Sequence, residues 1–282
     1  MSQSALSHSA DFLKANDKDR YFASLVLPEP QRGAIQALYA FNADVATVRD
    51  RAREPAPGEI RLQWWVDAIK GEGHGAVRAN PVADGLLTAI ETYRLPAAVA
   101  LQRLLAARRF DLYDDPMPDV QSFEGYAGET VSVLYQLSAM ILNGGAEIET
   151  GDAAGHLGVA QALIGHLRAF GLNASRGRIF LPWSIFAANG VRENEVLAGQ
   201  VSEGLLEAHA QIIDLAREHL GKAEAAIAQL PKPLRPAFAQ VALQRIYLKQ
   251  VERQSSSPFS PPADLADWRK IAAFSLWSLR NA

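Results

Sequence analysis

Apolar residues recur every three to four positions along nearly the whole chain, and proline, glycine and asparagine interrupt them at intervals that suit helices. The first stretch is polar, and the apolar pattern begins only at Tyr21, Phe22, Leu25 and Val26. Residues 1–18 are therefore expected as a flexible N-terminal segment ahead of a folded domain over 19–282. Pro28 and Pro30 stand where a first helical turn tolerates proline. The stripe Ile35, Leu38, Tyr39, Val45 and Val48 then carries a long amphipathic helix into the charged run Arg49, Asp50, Arg51, Arg53. Further helices are expected through Ile60, Leu62, Trp64, Trp65 and Ile69, from the cap pair Asn80 and Pro81 to 93, and from 96 to 112. The next runs through Phe123, Tyr126, Val131, Leu134, Leu137 and Ile141, and Gly144 and Gly145 stop it.

The segment 156–182 has the same helical stripe, Leu157, Ala160, Leu163, Ile164, Leu167 and Phe170, and then breaks into the basic turn NASRGR. Beyond it the pattern predicts short helices near Trp183 and after Asn189, long ones over 201–230 and 233–251, and a last one from 264. The proline- and serine-rich SSSPFSPP at 255–262 is too short to separate domains. No alternating strand pattern occurs, so the fold class is all-α, a single large bundle.

Composition narrows the function classes. A net charge of -3 speaks against general nucleic-acid binding, and the absence of cysteine removes thiolate metal sites and cysteine nucleophiles. No apolar run approaches the ~18 residues of a membrane span, and the N-terminus has no signal-peptide pattern. The expected setting is cytoplasmic, with at most peripheral contact at the inner membrane. The last helix sets Trp268 and Trp277 beside Arg269, Lys270 and Arg280, a mixture that suits a membrane surface, although such helices more often close a core.

Two polar helix ends, 44–53 and 168–178, are the candidate chemistry. Facing one cavity they would bring together Asp44, Arg49, Asp50, Arg168, Arg176 and Arg178, with no carboxylate in the basic turn itself. His156 and His166, like His209 and His219, are ten residues apart, which is not a helical metal-ligand spacing. They are expected as ordinary hydrogen-bonded histidines. The alternating glycines of GEGHG at 71–75 follow no strand and form a connector.

The segments ALYAFNADVATVRD, RLQWW, SFEGYAGETVSVLYQL and GVAQALIGHLRAFGLNASRGRIFLP resemble, in that order, the squalene/phytoene synthase family. The resemblance implies an all-α bundle of the isoprenoid synthase type with a central cavity. Enzymes of that family join two prenyl diphosphates head to head, and two facing helices each carry a DxxxD motif. Residues four apart share a helix face, and such carboxylates are the hard oxygen ligands that Mg²⁺ takes. Here the leading aspartate of the first motif falls on Ala46 and only Asp50 remains; those of the second fall on Ala169 and Asn173. Asp44, six residues before Asp50, lies off its face. The arginine common before the first motif corresponds to Ala43, and an early serine region to Asp19 and Arg20.

The nearer resemblance is to the branch that contains a mitochondrial complex I assembly factor. It implies a non-catalytic protein with no cofactor, complex I subunits or assembly intermediates as partners, and an isoprenoid-like apolar ligand. Arg49, Asp50, Arg168, Asn173, Arg176 and Arg178 would then line a degenerate diphosphate cavity without a catalytic residue or bound metal. The alternative is a head-to-head prenyltransferase that uses Mg²⁺ through Asp50, Arg168 and Arg178. A third reading is a polyanion held without metal by the four arginines.

Overall fold

The structure, a computed structural model, describes residues 3–52 and 54–281, so Arg53 of the charged run lies outside the described residues. All regular elements among the described residues are helical. Helices α1 (Gln3–Asn16), α2 (Lys18–Ser24), α3 (Glu29–Ala46), α4 (Val48–Arg51) and α5 (Pro55–Lys70) form the first part. They lead to α6 (Pro81–Tyr93), α7 (Ala98–Arg108) and α8 (Val120–Ala127). A π-helical turn, Gly128–Ser132, joins α8 to α9 (Val133–Leu142). Then come α10 (Gly151–Arg168), α11 (Phe170–Ser175), α12 (Trp183–Ala188), α13 (Glu193–Leu197), α14 (Glu203–Gln229), α15 (Val241–Arg253) and α16 (Asp267–Asn281).

Local chemistry explains most of these boundaries. The Asn80 side chain accepts from the N–H groups of Val82 and Ala83 at 3.0 and 3.2 Å, and Pro81 opens α6. Ser202 caps α14 on the N–H of Leu205. Gly144 and Gly145, with φ of 71° and 94°, end α9. α9 is buried on most of its surface and gives a face to each of two cores. Leu134, Leu137 and Ile141 pack with α3, α6 and α7, while Tyr135 and Ala139 pack with α10, α14 and α15.

One expectation changes. Residues 1–18 were expected to be flexible, yet α1 is built into the fold, with Ala5, Ser9 and Leu13 buried four residues apart. Two glycines let it come close: Gly33 of α3 faces Leu6, and Gly85 of α6 faces Ser9. Leu13 is fully buried in the core, with Leu6 and Phe12 packed against it.

Aromatic rings pack against one another around α9, α11 and α12. Phe170 stacks on Phe186 at 5.8 Å and on Phe259 at 5.0 Å, and Tyr135 stacks on Phe238 at 5.7 Å. The space beside Leu167 and His209 measures ≈ 10 Å³, about one water. Open cavities of ≈ 260 to ≈ 600 Å³ occur elsewhere, and none of these is lined by Asp50 or by the candidate arginines.

The histidines report on this packing. Burial holds His166 and His209 neutral and lowers each to about 4. The unfolded chain takes up these protons from about pH 6.5 downward. Stability is therefore full above that pH and falls as pH drops towards 4, by up to about 3 kcal/mol for each group. Denaturant midpoints measured from pH 7 to 4.5 should show this decline, and His209→Gln should flatten it; an equal slope in the variant would contradict neutral burial.

Candidate functional site

Both helices that carry the expected motif positions break there. α3 stops at Ala46, and α4 resumes at Val48. The intervening Thr47 turns its hydroxyl back to the carbonyl oxygens of Ala43 and Asp44, at 3.0 and 3.1 Å, a bond that bends helices. α10 stops at Arg168, and α11 resumes at Phe170 across Ala169. Ala46 and Ala169 thus stand at the two breaks, and neither has a side-chain oxygen to offer.

Four of the six predicted residues come together. Arg176 Nη1 lies 3.2 Å and Arg178 Nη1 3.7 Å from Asp50 Oδ1. Arg49 Nη2 lies 3.2 Å and Arg178 Nε 3.8 Å from Asp114 Oδ1. The basic turn is shaped by the backbone carbonyl of Asn173, which accepts the N–H groups of Arg176 and Arg178, each at 3.0 Å, and by Gly177 at φ 75°. Asn173 therefore takes part through its main chain.

Asp114 was not among the predicted residues, although the aspartate-rich loop DDPMPD marked its position. Backbone hydrogen bonds from Met117 to Ile179 (3.0 Å) and from Trp183 to Met117 (2.7 Å) strap that loop to the segment after the basic turn. The basic turn has no carboxylate of its own, and the carboxylates that meet it arrive from α4, as expected, and from this loop.

Arg168 is not in this group. Its guanidinium lies 3.7 Å from the centre of the Tyr247 ring and 3.8 Å from Asp264. The Tyr247 hydroxyl donates to Asp19 at 2.7 Å, and Lys270 donates to the other oxygen of Asp19 at 2.6 Å. Burial pushes the Tyr247 hydroxyl up, and the Asp19 charge adds to it. Arg20, beside Asp19 in sequence, turns elsewhere. It pairs with Asp17 at 2.7 Å and lies 5.7 Å from the ring of Tyr39.

Asp44 is committed to structure. It accepts from Arg51 at 2.7 Å, from Arg61 at 2.9 Å and from the Trp65 indole N–H at 2.9 Å. Burial alone would raise its pKa, but these donors outweigh burial and hold the carboxyl below the usual range. It is not a spare metal ligand. The histidine spacing also misled in one respect, because His156 meets His219 of α14 with their Nδ1 atoms 3.1 Å apart. Glu124 lies 3.3 Å from the other ring nitrogen of His219.

The donor set does not fit a Mg²⁺ cluster of the kind the two motifs would hold. Mg²⁺ needs several oxygen ligands in near-octahedral geometry. Asp50 alone is available at the four motif positions, and two arginines compete for it. Among the described residues no three acidic or histidine side chains form a group that could hold a metal. With three arginines against two aspartates, the cluster is suited to a small anion or to a structural clasp between α4, the loop and the basic turn.

Comparison with known proteins is consistent with this geometry. The squalene/phytoene synthase family model matches residues 13–271. The chain is 30% identical over 251 residues to NADH dehydrogenase (ubiquinone) complex I, assembly factor 6, of Bos taurus, covering 89% of this chain and 75% of that protein. It is 24% identical to the 15-cis-phytoene synthase of Synechococcus elongatus, over 93% of this chain and 89% of that enzyme. A dehydrosqualene synthase crystal structure superposes with a TM-score of 0.80 at 19% identity, covering 99% of this chain and 98% of that one.

Proposed function

Because this chain belongs to the squalene/phytoene synthase family, we propose that it is a non-catalytic member acting in the assembly of NADH dehydrogenase, complex I. One observation carries the reading: of the four metal-ligand positions only Asp50 keeps a carboxylate, and Arg176 and Arg178 hold it. Without Mg²⁺ to neutralise a leaving diphosphate, the family's coupling reaction has no driving charge on this scaffold. Relatives named as complex I assembly factors, at about 30% identity, support the assembly role. The reading places the protein in the cytoplasm, with assembly intermediates or subunits of the complex as partners and an isoprenoid-like molecule as a ligand.

The competing reading, a prenyltransferase, draws on the retained Asp50 and Arg178 and on the likeness to phytoene synthase. One pair of experiments separates them. Deleting the gene should lower the amount of active NADH dehydrogenase, and both wild type and Asp50→Ala should restore it. Purified protein given farnesyl diphosphate and Mg²⁺ should release no diphosphate above a blank. Release that disappears in Asp50→Ala would establish the transferase, and a normal level of the complex after deletion would end the assembly reading.

A further inference from the structure

The last helix leaves an apolar face that the core does not use. α16 buries Phe274 and Trp277 against the bundle, and Lys270 reaches back to Asp19. On its other side Trp268 is 69% exposed, Ile271 41% and Leu279 79%, while Leu276, 55% exposed, stands at the edge, where with Arg280 it lines a hollow against α14 and α15. At 3.6 residues per turn these four, with Ala272 and Ser275, form one stripe about 140° wide. The helix is therefore apolar on two opposite faces, and only one of them has a partner.

Charge identifies what would cover the other. Arg269 and Arg280 border the stripe on the same side, and both are exposed. Among the described residues neither pairs with a carboxylate, and Arg269 lies 5.6 Å from the Trp268 ring. Nearby acids are already engaged: Asp267 with Lys18 at 3.0 Å, Asp19 with Lys270 and Tyr247, and Glu224 with Arg245. The face thus offers apolar side chains with a cationic edge. An indole at one end of such a stripe suits the boundary between headgroups and acyl chains.

We propose that α16 rests on a membrane surface carrying anionic lipid headgroups, with Trp268, Ile271, Leu276 and Leu279 entering the boundary layer and Arg269 and Arg280 meeting the phosphates. No helix of the described residues is long and apolar enough to cross a membrane, so the contact is peripheral. A second copy is too small an occupant. A helix of this length is about 22 Å long, and two such stripes would bury on the order of 450 Å² in total, where a stable interface buries about 1,200 Å² or more. This inference stands apart from the assembly role and would hold if that role failed.

Flotation of the full chain with vesicles of phosphatidylcholine, alone or mixed with phosphatidylglycerol, tests it. Binding is expected to the mixed vesicles and to weaken with salt. Trp268→Ser with Leu279→Ser should lower binding about tenfold or more. Arg269→Gln with Arg280→Gln should lower it roughly fivefold per arginine and flatten the salt dependence. Both pairs are exposed, so thermal melts should match the wild type and separate lost binding from lost folding. Absence of flotation with the mixed vesicles would overturn the proposal, as would flotation unchanged by the Trp268 and Leu279 substitutions. A dimer by light scattering that dissociates in that variant would also overturn it and assign the face to a second copy.

Discussion

Asp44→Ala is expected to unfold at a clearly lower denaturant concentration than the wild type, with a loss of about 3 kcal/mol. The carboxylate is almost fully buried and links three donors from two other elements, Arg51 of α4 and Arg61 and Trp65 of α5. Removing one member of a buried ion pair strands the charge left behind. Here Arg51 and Arg61 are half and about a third exposed and can turn to water, which keeps the loss at the lower end of the usual range. The Trp65 indole cannot turn, because its side chain is sealed against Phe41 at 4.8 Å. Asn at this position retains an acceptor and should recover part of the loss. The folded carboxyl has a lowered pKa, so its contribution is present above about pH 4 and fades as pH falls below it. Wild type and Asp44→Asn should therefore converge in strong acid. A loss under about 1 kcal/mol for the alanine variant would show that α4 and α5 are held by packing alone.

Gly158→Ala should cost about 3 kcal/mol or more, read from urea unfolding. A methyl group at this position would stand 2.7 Å from the backbone N and 2.8 Å from the Cα of Ser132. Those are main-chain atoms of the π-helical turn and cannot swing aside, so α10 would have to back away. With it would go the burial of Leu157 and Leu163, both fully enclosed. Gly165, two turns on in the same helix, has nothing within 4 Å of its would-be Cβ. Gly165→Ala should instead stabilise by about 0.5–1 kcal/mol through helix propensity. If both substitutions moved stability in the same direction, contact with Ser132 would not be what fixes the glycine.

The candidate site was legible in part. Asp50 and the turn at 173–178 stood out as polar interruptions of apolar stripes, and they do meet. Arg168 stood out for the same reason but belongs to a different contact, on the ring of Tyr247 of α15. Asp114 and Tyr247 carried no pattern of their own that tied them to the arginines. The first is strapped in place by a loop, and the second lies on a helix some 80 residues further along.

The sequence by itself determined most of the helices, α1 excepted, and it determined that Ala46, Ala169 and Asn173 carry no carboxylate, since neither a methyl group nor a neutral amide supplies that charge in any fold. Those properties depend on a residue and its neighbours within a turn or two. Only the tertiary structure decided that Asp50 answers Arg176 across 126 positions and that Asp114 answers Arg49 across 65. It alone placed His156 against His219, seated α1 on Gly33 and Gly85, stacked Phe170 between Phe186 and Phe259, and left one face of α16 bare. Each of these is a pairing between distant helices, set by how their surfaces pack, and periodicity along the chain names the face of a helix without naming what will cover it.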